Sequence, residues 1–462
     1  MSMMKGFSNA FRIPELRKKI LVTLGLVFVC RLVSQIPTPG VDWVALQGAI
    51  ADARAAAASS GDVVGGLLDW FEVFTGGALG QCAIGFLSIW PYISAQIVIQ
   101  LLGSVIPQLE KLKKEGESGR QQLAQITRYL TIVLCVVQSW GIATALCHPA
   151  AMGLGNVQLV VNPGIGFHLM TVIGMTSAAL FVMWLADQIT TFGVGNGASL
   201  IIMINITSRL PQALIQAWDR YFGVSNQNIN LMELPILILF FLMVVAGTVM
   251  LTQGVRKVAI HTTRRSVGGG STYGMQQTFM PLRVNYTGVM PIIFAQPLIQ
   301  IPSAILMKFT PTGSSFHQFA AKLSDPSSPV HLILYAALIM FFAFFWVATQ
   351  FNAIEISENL KKDGSYIPGI RPGRATAEYL DDMMTKITLI GGTGLLIVAL
   401  IPMVLMGWMK LPWAIASFFG GTSLLIIVGV ALDTLRILES HLLVRKYEGF
   451  LAHGTLRGRG GM

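Results

Sequence analysis

Residue types that could perform catalysis occur in this sequence, but none of them has a catalytic spacing. The seven histidines include no HExxH pair, and the four cysteines, Cys30, Cys82, Cys135 and Cys147, include no CxxC or metal-ligand spacing. Gly193-Val-Gly-Asn-Gly197 has neither the spacing nor the strand context of a dinucleotide fingerprint. Buried free thiols are favoured over a disulfide. We therefore predict no enzymatic activity, no metal and no cofactor.

Ionisable residues inside the apolar stretches are few. Arg31 lies within the first stretch, while Asp187, Glu233 and Asp433 lie near the ends of others. An ion-coupled transporter usually needs buried carboxylates or charged partners at mid-depth, so a solute transporter is the less favoured class. Because the sequence offers Arg31 no obvious partner, we interpret its side chain as reaching an interface or a water-filled cavity.

The composition identifies the environment of these residues. Of 462 residues, 53% are apolar and 12% are charged, whereas soluble domains carry roughly a quarter charged residues. A soluble enzyme of this length would have too little charge to cover its surface. A disordered chain and a disulfide-stapled secreted module are excluded as well. The composition predicts an all-α polytopic membrane protein.

Ten apolar stretches can be matched to membrane crossings, each of which needs about 20 residues. The fifth is short and ends in Arg209-Leu-Pro. The ten stretches are 20–36, 83–105, 129–147, 165–186, 200–214, 234–251, 284–307, 331–353, 387–409 and 411–432.

The basic residues support the same count. Five basic clusters fall on one side of the membrane if there are ten spans, and the net charge is +10. Positive loops face the cytoplasm, so both termini are predicted to be cytoplasmic. Five spans in each half would give two inverted halves, the first at 1–225 and the second at 226–462 with a cytoplasmic tail at 433–462.

A short amphipathic segment at 65–77 interrupts the spans. Leu67, Leu68, Phe71 and Phe74 follow helical spacing, and Gly76-Gly77 permits a sharp end. Two helical turns cannot cross a bilayer. The segment is therefore either an interfacial helix or a movable stopper in a cavity, and its residues alone leave both readings open.

Two basic loops, 254–283 and 356–386, are longer than a connection between two spans requires. Attraction to anionic lipid is one interpretation. Docking of a large cytosolic partner, including one rich in RNA phosphate, is the other.

Several segments, in order along the chain, resemble the SecY family of translocon channel subunits. They run from the first span to the last, so the resemblance covers nearly the whole chain. The segments are Ile36-Pro-Thr-Pro-Gly40, Pro91-Tyr-Ile-Ser94, Lys113-Lys-Glu-Gly-Glu-Ser-Gly-Arg120, Gly195-Asn-Gly197, Asn359-Leu-Lys-Lys362, Pro368-Gly-Ile-Arg-Pro-Gly373 and Gly420-Gly-Thr-Ser-Leu-Leu425.

The resemblance implies a passive protein-conducting channel. Its ten transmembrane helices would form a clamshell of two inverted five-helix halves, with a re-entrant plug helix and an aliphatic ring at the narrowest point of the pore. The ring positions would be Ile89, Ile93, Ala198, Ile202, Ile293 and Ile426. At Ala198 the family commonly has a larger aliphatic residue. The plug positions would be Leu67, Leu68, Trp70, Phe71, Phe74, Gly76 and Gly77.

The same resemblance implies a lateral gate between the spans at 83–105 and 284–307. Its residues would be Ser94, Gln100, Pro291 and Pro297. Gln100 is equally compatible with an ordinary packed glutamine. The partner-docking residues would be Arg256, Lys257, Arg264, Arg265, Arg371 and Arg374.

The implied partners are the small membrane subunits SecE and SecG, the motor ATPase SecA, the ribosome with its RNA phosphates, and anionic lipids. Signal sequences and unfolded polypeptides would be the substrates, in a bacterial cytoplasmic membrane. Energy would come from the motor, the ribosome or the membrane potential. Two other classes are an inverted-repeat secondary solute transporter and a membrane insertase or scaffold without a through-pore.

Overall fold

A computed structural model describes residues 13–60, 75–149, 157–222, 233–262, 276–310, 314–325, 328–409, 415 and 422–453. Within this part of the chain the protein is mostly helical, with one small sheet. Seven described helices are long and apolar enough to cross a membrane. The other three predicted spans coincide with helices at Pro14–Val33, Met290–Phe309 and Thr422–His453.

The chain divides into two compact units, Met1–Pro211 with Val430–Met462, and Gln212–Gly429. The helices of the first unit carry the predicted spans one to five up to Pro211. They are α1 (Pro14–Val33), α2 (Trp43–Ser60), α3 (Trp90–Val105), α4 (Pro107–Lys114), α5 (Glu117–Cys147), α6 (Ile165–Phe192) and α7 (Gly197–Thr207).

Small and hydroxyl-bearing side chains line the contact between α5 and α6. They recur every four residues along one face of α5, and all are buried: Thr127, Thr131, Cys135, Ser139 and Ala143. Small side chains allow helix backbones to approach closely in a membrane. The hydroxyl of Ser139 donates to the carbonyl oxygen of Cys135 in the same helix over 2.6 Å. The buried hydroxyl therefore keeps a hydrogen-bond partner.

The helix α2 was not predicted. Its sequence is rich in alanine, the residue with the highest helix propensity, and this was the signal that could have found it. Leu46, Ala49 and Ile50 of α2 are buried in one cluster with Phe167 of α6. The segment between α1 and α3 therefore contains a packed helix in addition to the predicted plug segment.

The chain just before α3 is fixed to the segment that follows α1. The N–H of Thr38 donates to the carbonyl oxygen of Cys82, and the N–H of Ile84 donates to that of Ile36, both over 2.9 Å. The Thr38 hydroxyl donates to the same Cys82 oxygen over 2.6 Å. Three hydrogen bonds thus hold the C-terminal end of the loop that contains the predicted plug segment.

The second unit contains the predicted spans six to nine, and the last helix begins in it. Its elements are α8 (Leu210–Phe222), α9 (Glu233–Gln253), β1 (Val255–Thr262), β2 (Gln276–Arg283), α10 (Met290–Phe309), α11 (Ser315–Ser324), α12 (Pro329–Gln350), α13 (Ala353–Lys362), β3 (Ser365–Tyr366), α14 (Arg374–Met409) and α15 (Thr422–His453). Within it, α12 packs against α10 and α14, and α9 packs against α14. Residues of α15 from Val430 onward belong to the first unit.

The two long basic loops join in one sheet of order β2-β1-β3, with both pairings antiparallel. Val258 of β1 and Leu282 of β2 are buried against Leu380 and Met384 of α14. The sheet is the exception to the predicted all-α class. Because the sheet packs on α14, the two loops have a defined structure. Docking of a partner on them stays a prediction.

Two spans differ from their predicted limits. The fifth is interrupted at Ser208-Arg209, between α7 and α8, where Pro211 enters the first turn of the new helix and cannot continue the old one. The tenth was predicted at 411–432, but its helix begins at Thr422 and runs on to His453. The helix extends beyond the apolar stretch because its polar C-terminal residues also favour helix.

Candidate functional site

Two predicted ring residues lie at the start of α3. Ile89 immediately precedes the helix, and Ile93 follows one turn later, with its N–H donating to the carbonyl of Ile89 over 3.1 Å. Residues one turn apart lie on the same helix face, and both are buried. Pro91 occupies the first turn, where its missing N–H would have had no intrahelical partner.

Two further ring residues, Ala198 and Ile202, lie four residues apart on α7 and are half-buried. The start of α7 is tightly fixed. The side chain of Asn196 caps the helix, and a Cβ on Gly197 would collide with the carbonyl oxygen of Ala186. Only glycine allows this approach, so the glycine of the Gly-Asn-Gly motif determines where α7 begins.

The remaining ring residues, Ile293 and Ile426, lie in the second unit, and both are buried. Ile293 lies in the first turn of α10, and its N–H donates to the carbonyl of Val289 over 3.3 Å. Ile426 lies in the first turns of α15. The structure therefore places every ring candidate in the opening turns of a helix, or immediately before one. Their meeting at one depth stays a prediction.

Most of the predicted plug lies outside the described residues, including Leu67, Leu68, Trp70, Phe71 and Phe74. Gly76 and Gly77 are described, with φ of +65° and +95°. Left-handed backbone of this kind favours glycine, so the sharp end predicted for the segment is present at these two residues.

Arg31 has partners that its sequence context did not reveal, while its position at an interface or in a water-filled cavity stays a prediction. Its guanidinium donates from Nη2 to the carbonyl oxygen of Gly76 over 3.1 Å, and from Nη1 to Oδ1 of Asn205 over 3.4 Å. The side chain is thus bound within the first unit. No partner was visible in the sequence because the acceptors are a backbone carbonyl and an amide, neither of which carries a charge.

The predicted lateral-gate residues lie on α3 and α10. The hydroxyl of Ser94 donates to the carbonyl of Trp90 over 3.0 Å, and Gln100 is half-buried one and a half turns further along α3. Pro291 is buried at the start of α10, and the helix continues through Pro297. Their role at a gate stays a prediction.

The docking residues that can be located are exposed. Arg256 and Lys257 lie on β1, whereas Arg264 and Arg265 fall outside the described residues. Arg371 and Arg374 are exposed next to the start of α14.

Arg371 lies in a turn of defined shape. Gly369 and Gly373 have φ of +82° and +105°, and the hydroxyl of Thr376 donates to the carbonyl of Arg371 over 2.9 Å. Arg374 is paired with Glu378 at 3.0 Å. Of these two arginines, Arg371 is held through its backbone, which leaves its side chain projecting from a fixed loop.

Sequence reasoning did not find the ion pair of Arg128 on α5 with Asp187 on α6, whose N–O distance is 2.7 Å. Arg128 immediately precedes the predicted span 129–147, and Asp187 immediately follows the predicted span 165–186. Their positions near the ends of consecutive predicted spans were the available signal.

The cysteines are free thiols, and Cys30, Cys82 and Cys135 are buried, as predicted. Cys82 precedes the span that starts at Ile84, and burial raises the pKa of its thiol to about 11. In the described part of the chain, no group of three or more His, Cys, Asp or Glu side chains is placed to hold a metal ion.

Seven described helices that are long and apolar enough to cross a membrane define a polytopic α-helical membrane protein. The SecY family profile matches residues 83–435. The chain belongs to the SecY family. A relative from Streptomyces coelicolor, described as protein translocase subunit SecY, is 42% identical over 457 residues, which cover 97% of this chain and 100% of the relative. Proteins with the same description are each 38% identical in Thermotoga maritima, covering 99% and 100%, and in Escherichia coli, covering 96% and 96%.

Solved structures share the fold. One described as a protein-conducting channel aligns with a TM-score of 0.60 at 18% identity, covering 94% of this chain and 96% of the other. Sec61 in a canine ribosome–channel complex from the endoplasmic reticulum aligns with a TM-score of 0.58 at 16% identity, with the same coverage.

Proposed function

We propose that this chain is the channel-forming subunit of a protein translocase. It moves unfolded secretory polypeptides across a membrane and releases membrane helices sideways into it. The observation that carries the proposal is the full-length similarity to relatives described as protein translocase subunits, which reaches 42% identity over 457 residues. The shared fold with a protein-conducting channel supports the same function.

The physical problem for such a channel is the polar backbone of its substrate. Each unsatisfied backbone group costs several kcal/mol in hydrocarbon, so an extended chain needs a water-filled path. The path must also exclude ions at rest. A short constriction of branched aliphatic side chains excludes water when empty, and isoleucine offers no hydrogen bond that would select one substrate sequence.

In the proposed resting state, Ile89, Ile93, Ala198, Ile202, Ile293 and Ile426 form this constriction, and segment 65–77 is the plug. The ring positions support this because all of them lie at or just before helix starts, where the Pro91 and Gly197 sequences fix the backbone. The smaller Ala198 makes one side of the ring looser than an isoleucine would.

Sideways release takes place between α3 and α10 in this proposal. A signal sequence or membrane helix moving from the pore to lipid gains roughly 0.8 kcal/mol for each buried methylene. Ser94, Gln100, Pro291 and Pro297 would line this seam. Two inverted halves, 1–225 and 226–462, open around it.

The pair of basic loops, 254–283 and 356–386, is proposed to dock the ribosome, through its RNA phosphates, and the motor ATPase SecA. Its supporting features are the exposed side chains of Arg256, Lys257 and Arg371 and the buried apolar cluster between the sheet and α14. These partners and the membrane potential supply the energy. SecE and SecG are the proposed membrane subunits, and anionic lipids bind the basic loops. Both termini face the cytoplasm of a bacterium.

The test is transport into proteoliposomes that contain this chain, the two small subunits and the motor. A secretory precursor, ATP and an external protease are added, and the fraction of precursor that becomes protected is measured. Protection that requires this chain supports the proposal. The control is a precursor crosslinked into a folded state, which should remain digestible. Equal protection with and without this chain would refute a channel role.

A further inference from the structure

Two arginines enclose the glycine turn that ends the plug segment. Nη2 of Arg31 donates to the carbonyl oxygen of Gly76 over 3.1 Å. The hydroxyl of Ser208 lies 3.3 Å from the same oxygen and 2.7 Å from the carbonyl oxygen of Asn205, so its one proton is shared between the two acceptors. On the neighbouring residue, a Cβ at Gly77 would lie 3.1 Å from Cζ of Arg209. The turn is therefore held by side chains that follow or end the helices α1 and α7.

Gly76 fits this position because it has no side chain. A Cβ there would lie 2.5 Å from Nη1 of Arg31 and 3.0 Å from the Cα of Asn205. Gly76 is also buried, so its carbonyl oxygen accepts hydrogen bonds from protein side chains in place of water. A buried carbonyl that loses its donor costs free energy, and this links the position of the turn to the presence of Arg31.

Asn205 connects the turn to the start of α3. Its Oδ1 accepts from Arg31 over 3.4 Å, and its Nδ2 donates to the hydroxyl oxygen of Ser88 over 2.9 Å. Ser88 immediately precedes the ring residue Ile89, and Asn205 lies three residues after Ile202. Ser88 has φ of +46°, a strained value for a residue with a side chain, so its conformation depends on such surrounding contacts.

We propose that Arg31, Asn205 and Ser208 form an anchor for the C-terminal end of the plug segment, and that loss of this anchor shifts the resting channel towards its open state. The inference rests on the proposed function, since it assigns a task to residues next to the plug. Arg31 is a positioning residue: it contacts the turn and Asn205 rather than a substrate.

The anchor suits a segment that has to leave and return. Arg31 and Ser208 contact a backbone carbonyl, so their hold does not depend on the plug's side chains. The same network reaches Ser88, next to Ile89, and Asn205 lies on the helix that carries Ile202. Displacing the turn therefore removes an acceptor from Arg31 and from Ser208. Arg31 also contacts Asn205, whose amide bonds Ser88 next to Ile89, and this chain of contacts couples the plug to the ring.

The experiment measures ionic current through proteoliposomes that contain the whole chain and its small subunits, without substrate. Arg31→Gln removes the positive charge and shortens the side chain that donates to Gly76, whereas Ser208→Ala removes only a hydroxyl group. For Arg31→Gln we expect a resting current about tenfold higher, as for the loss of one hydrogen bond to a charged donor. Ser208→Ala should give a smaller rise. Both variants should still transport precursor.

The matched control is Arg128→Gln, which removes a guanidinium that pairs with Asp187 on another helix. Its resting current should equal that of the unmodified chain. Equal currents in all three variants would overturn the anchor. Currents that are all raised would indicate a general loosening of the protein, and currents that are all unchanged would show that these side chains do not hold the channel closed. If Arg31→Gln fails to assemble, Ser208→Ala decides, and an unchanged current in that variant overturns the proposal.

The failure of the anchor and of the proposed function are distinguishable. Unmodified proteoliposomes that protect no precursor would refute the channel function. Proteoliposomes that transport precursor normally, while Arg31→Gln and Ser208→Ala conduct no more than the control, would refute the anchor alone.

Discussion

The side-chain amide of Asn205 donates a hydrogen bond to the hydroxyl of Ser88 over 2.9 Å, which joins α7 to the residue just before α3. Both residues are buried. Ile89 and Ile93 lie at the start of α3, and Ala198 and Ile202 lie on α7, so this polar contact links the two pairs of ring candidates. A directional hydrogen bond between buried groups defines one arrangement more sharply than isoleucine packing does.

Asn205→Leu is expected to lower the free energy of unfolding by about 2 kcal/mol, because it leaves the buried Ser88 hydroxyl and part of the Arg31 guanidinium without a partner. Leucine has a similar volume, so little of the loss should come from a cavity. Thermal unfolding in detergent measures the change. The control is Asn359→Leu at an exposed position, for which we expect a change within about 0.5 kcal/mol. Equal effects of the two substitutions would contradict the argument.

Single cysteines at the ring positions should all crosslink to one polypeptide stalled in the channel. The reason is geometric: Ile89, Ile93, Ile202, Ile293 and Ile426 are proposed to surround the chain at one depth. Crosslinking yields are measured after transport of a precursor with a bulky folded end. Ile173→Cys is the control, since Ile173 is 64% exposed on the outer face of α6 and should give no product. Contact by only one or two ring positions would refute the ring.

Arg371→Glu should slow motor-driven export by about tenfold, the effect of losing about 1.4 kcal/mol of binding or transition-state contact. The turn around Arg371 is fixed by two glycines and by the Thr376 hydroxyl, so reversal of the charge should change the docking surface and leave the fold intact. Initial export rates into membrane vesicles measure the effect. Arg120→Glu reverses an exposed charge in the first turn of α5 and should export normally. An unaltered export rate for Arg371→Glu would show that Arg371 is not part of the docking surface.

The membrane spans could be predicted because hydrocarbon imposes a length on apolar stretches. The ends of their helices could not. The third span was predicted at 129–147, but α5 begins at Glu117, because a helix continues into water wherever its residues permit. The sheet was missed for a related reason. β1 and β2 pair within the loop 254–283, whereas β3 joins them from the loop 356–386, much later in the sequence. The pairing of His261 with Tyr366 leaves no periodic pattern in either loop.

The site was predictable where motifs fix the backbone locally, as Pro91 does before α3 and Gly197 does before α7. It was not predictable where the position of a side chain depends on polar partners that are distant in the sequence. Arg31 reaches Gly76 and Asn205 across 45 and 174 residues of sequence. Every residue has a backbone carbonyl oxygen, so the sequence does not show which of them accepts a hydrogen bond from a charged side chain. Such a side chain therefore looks unpaired until the fold is known.

The thiol of Cys82 should resist alkylation near neutral pH. Burial raises its pKa from the ordinary 9.0 to about 11, and the thiolate is the reactive form. At pH 8 the thiolate fraction should therefore be about a hundredfold lower than in the unfolded chain. The same shift stabilises the fold fully below pH 9.0, and this contribution is lost as the pH rises through about 11.

The measurement is the rate of maleimide labelling of a variant that keeps only Cys82, compared with a variant that keeps only Cys147. Cys147 is less buried than Cys82 and should be labelled faster at pH 8. Labelling of Cys82 should accelerate as the pH rises towards 11, and it should match the unfolded rate once the protein is denatured. If the Cys82 thiol reacts at pH 8 as fast in the native protein as in the denatured one, the loop that Thr38 binds is open to water. The three hydrogen bonds that hold this loop would then not persist in the membrane.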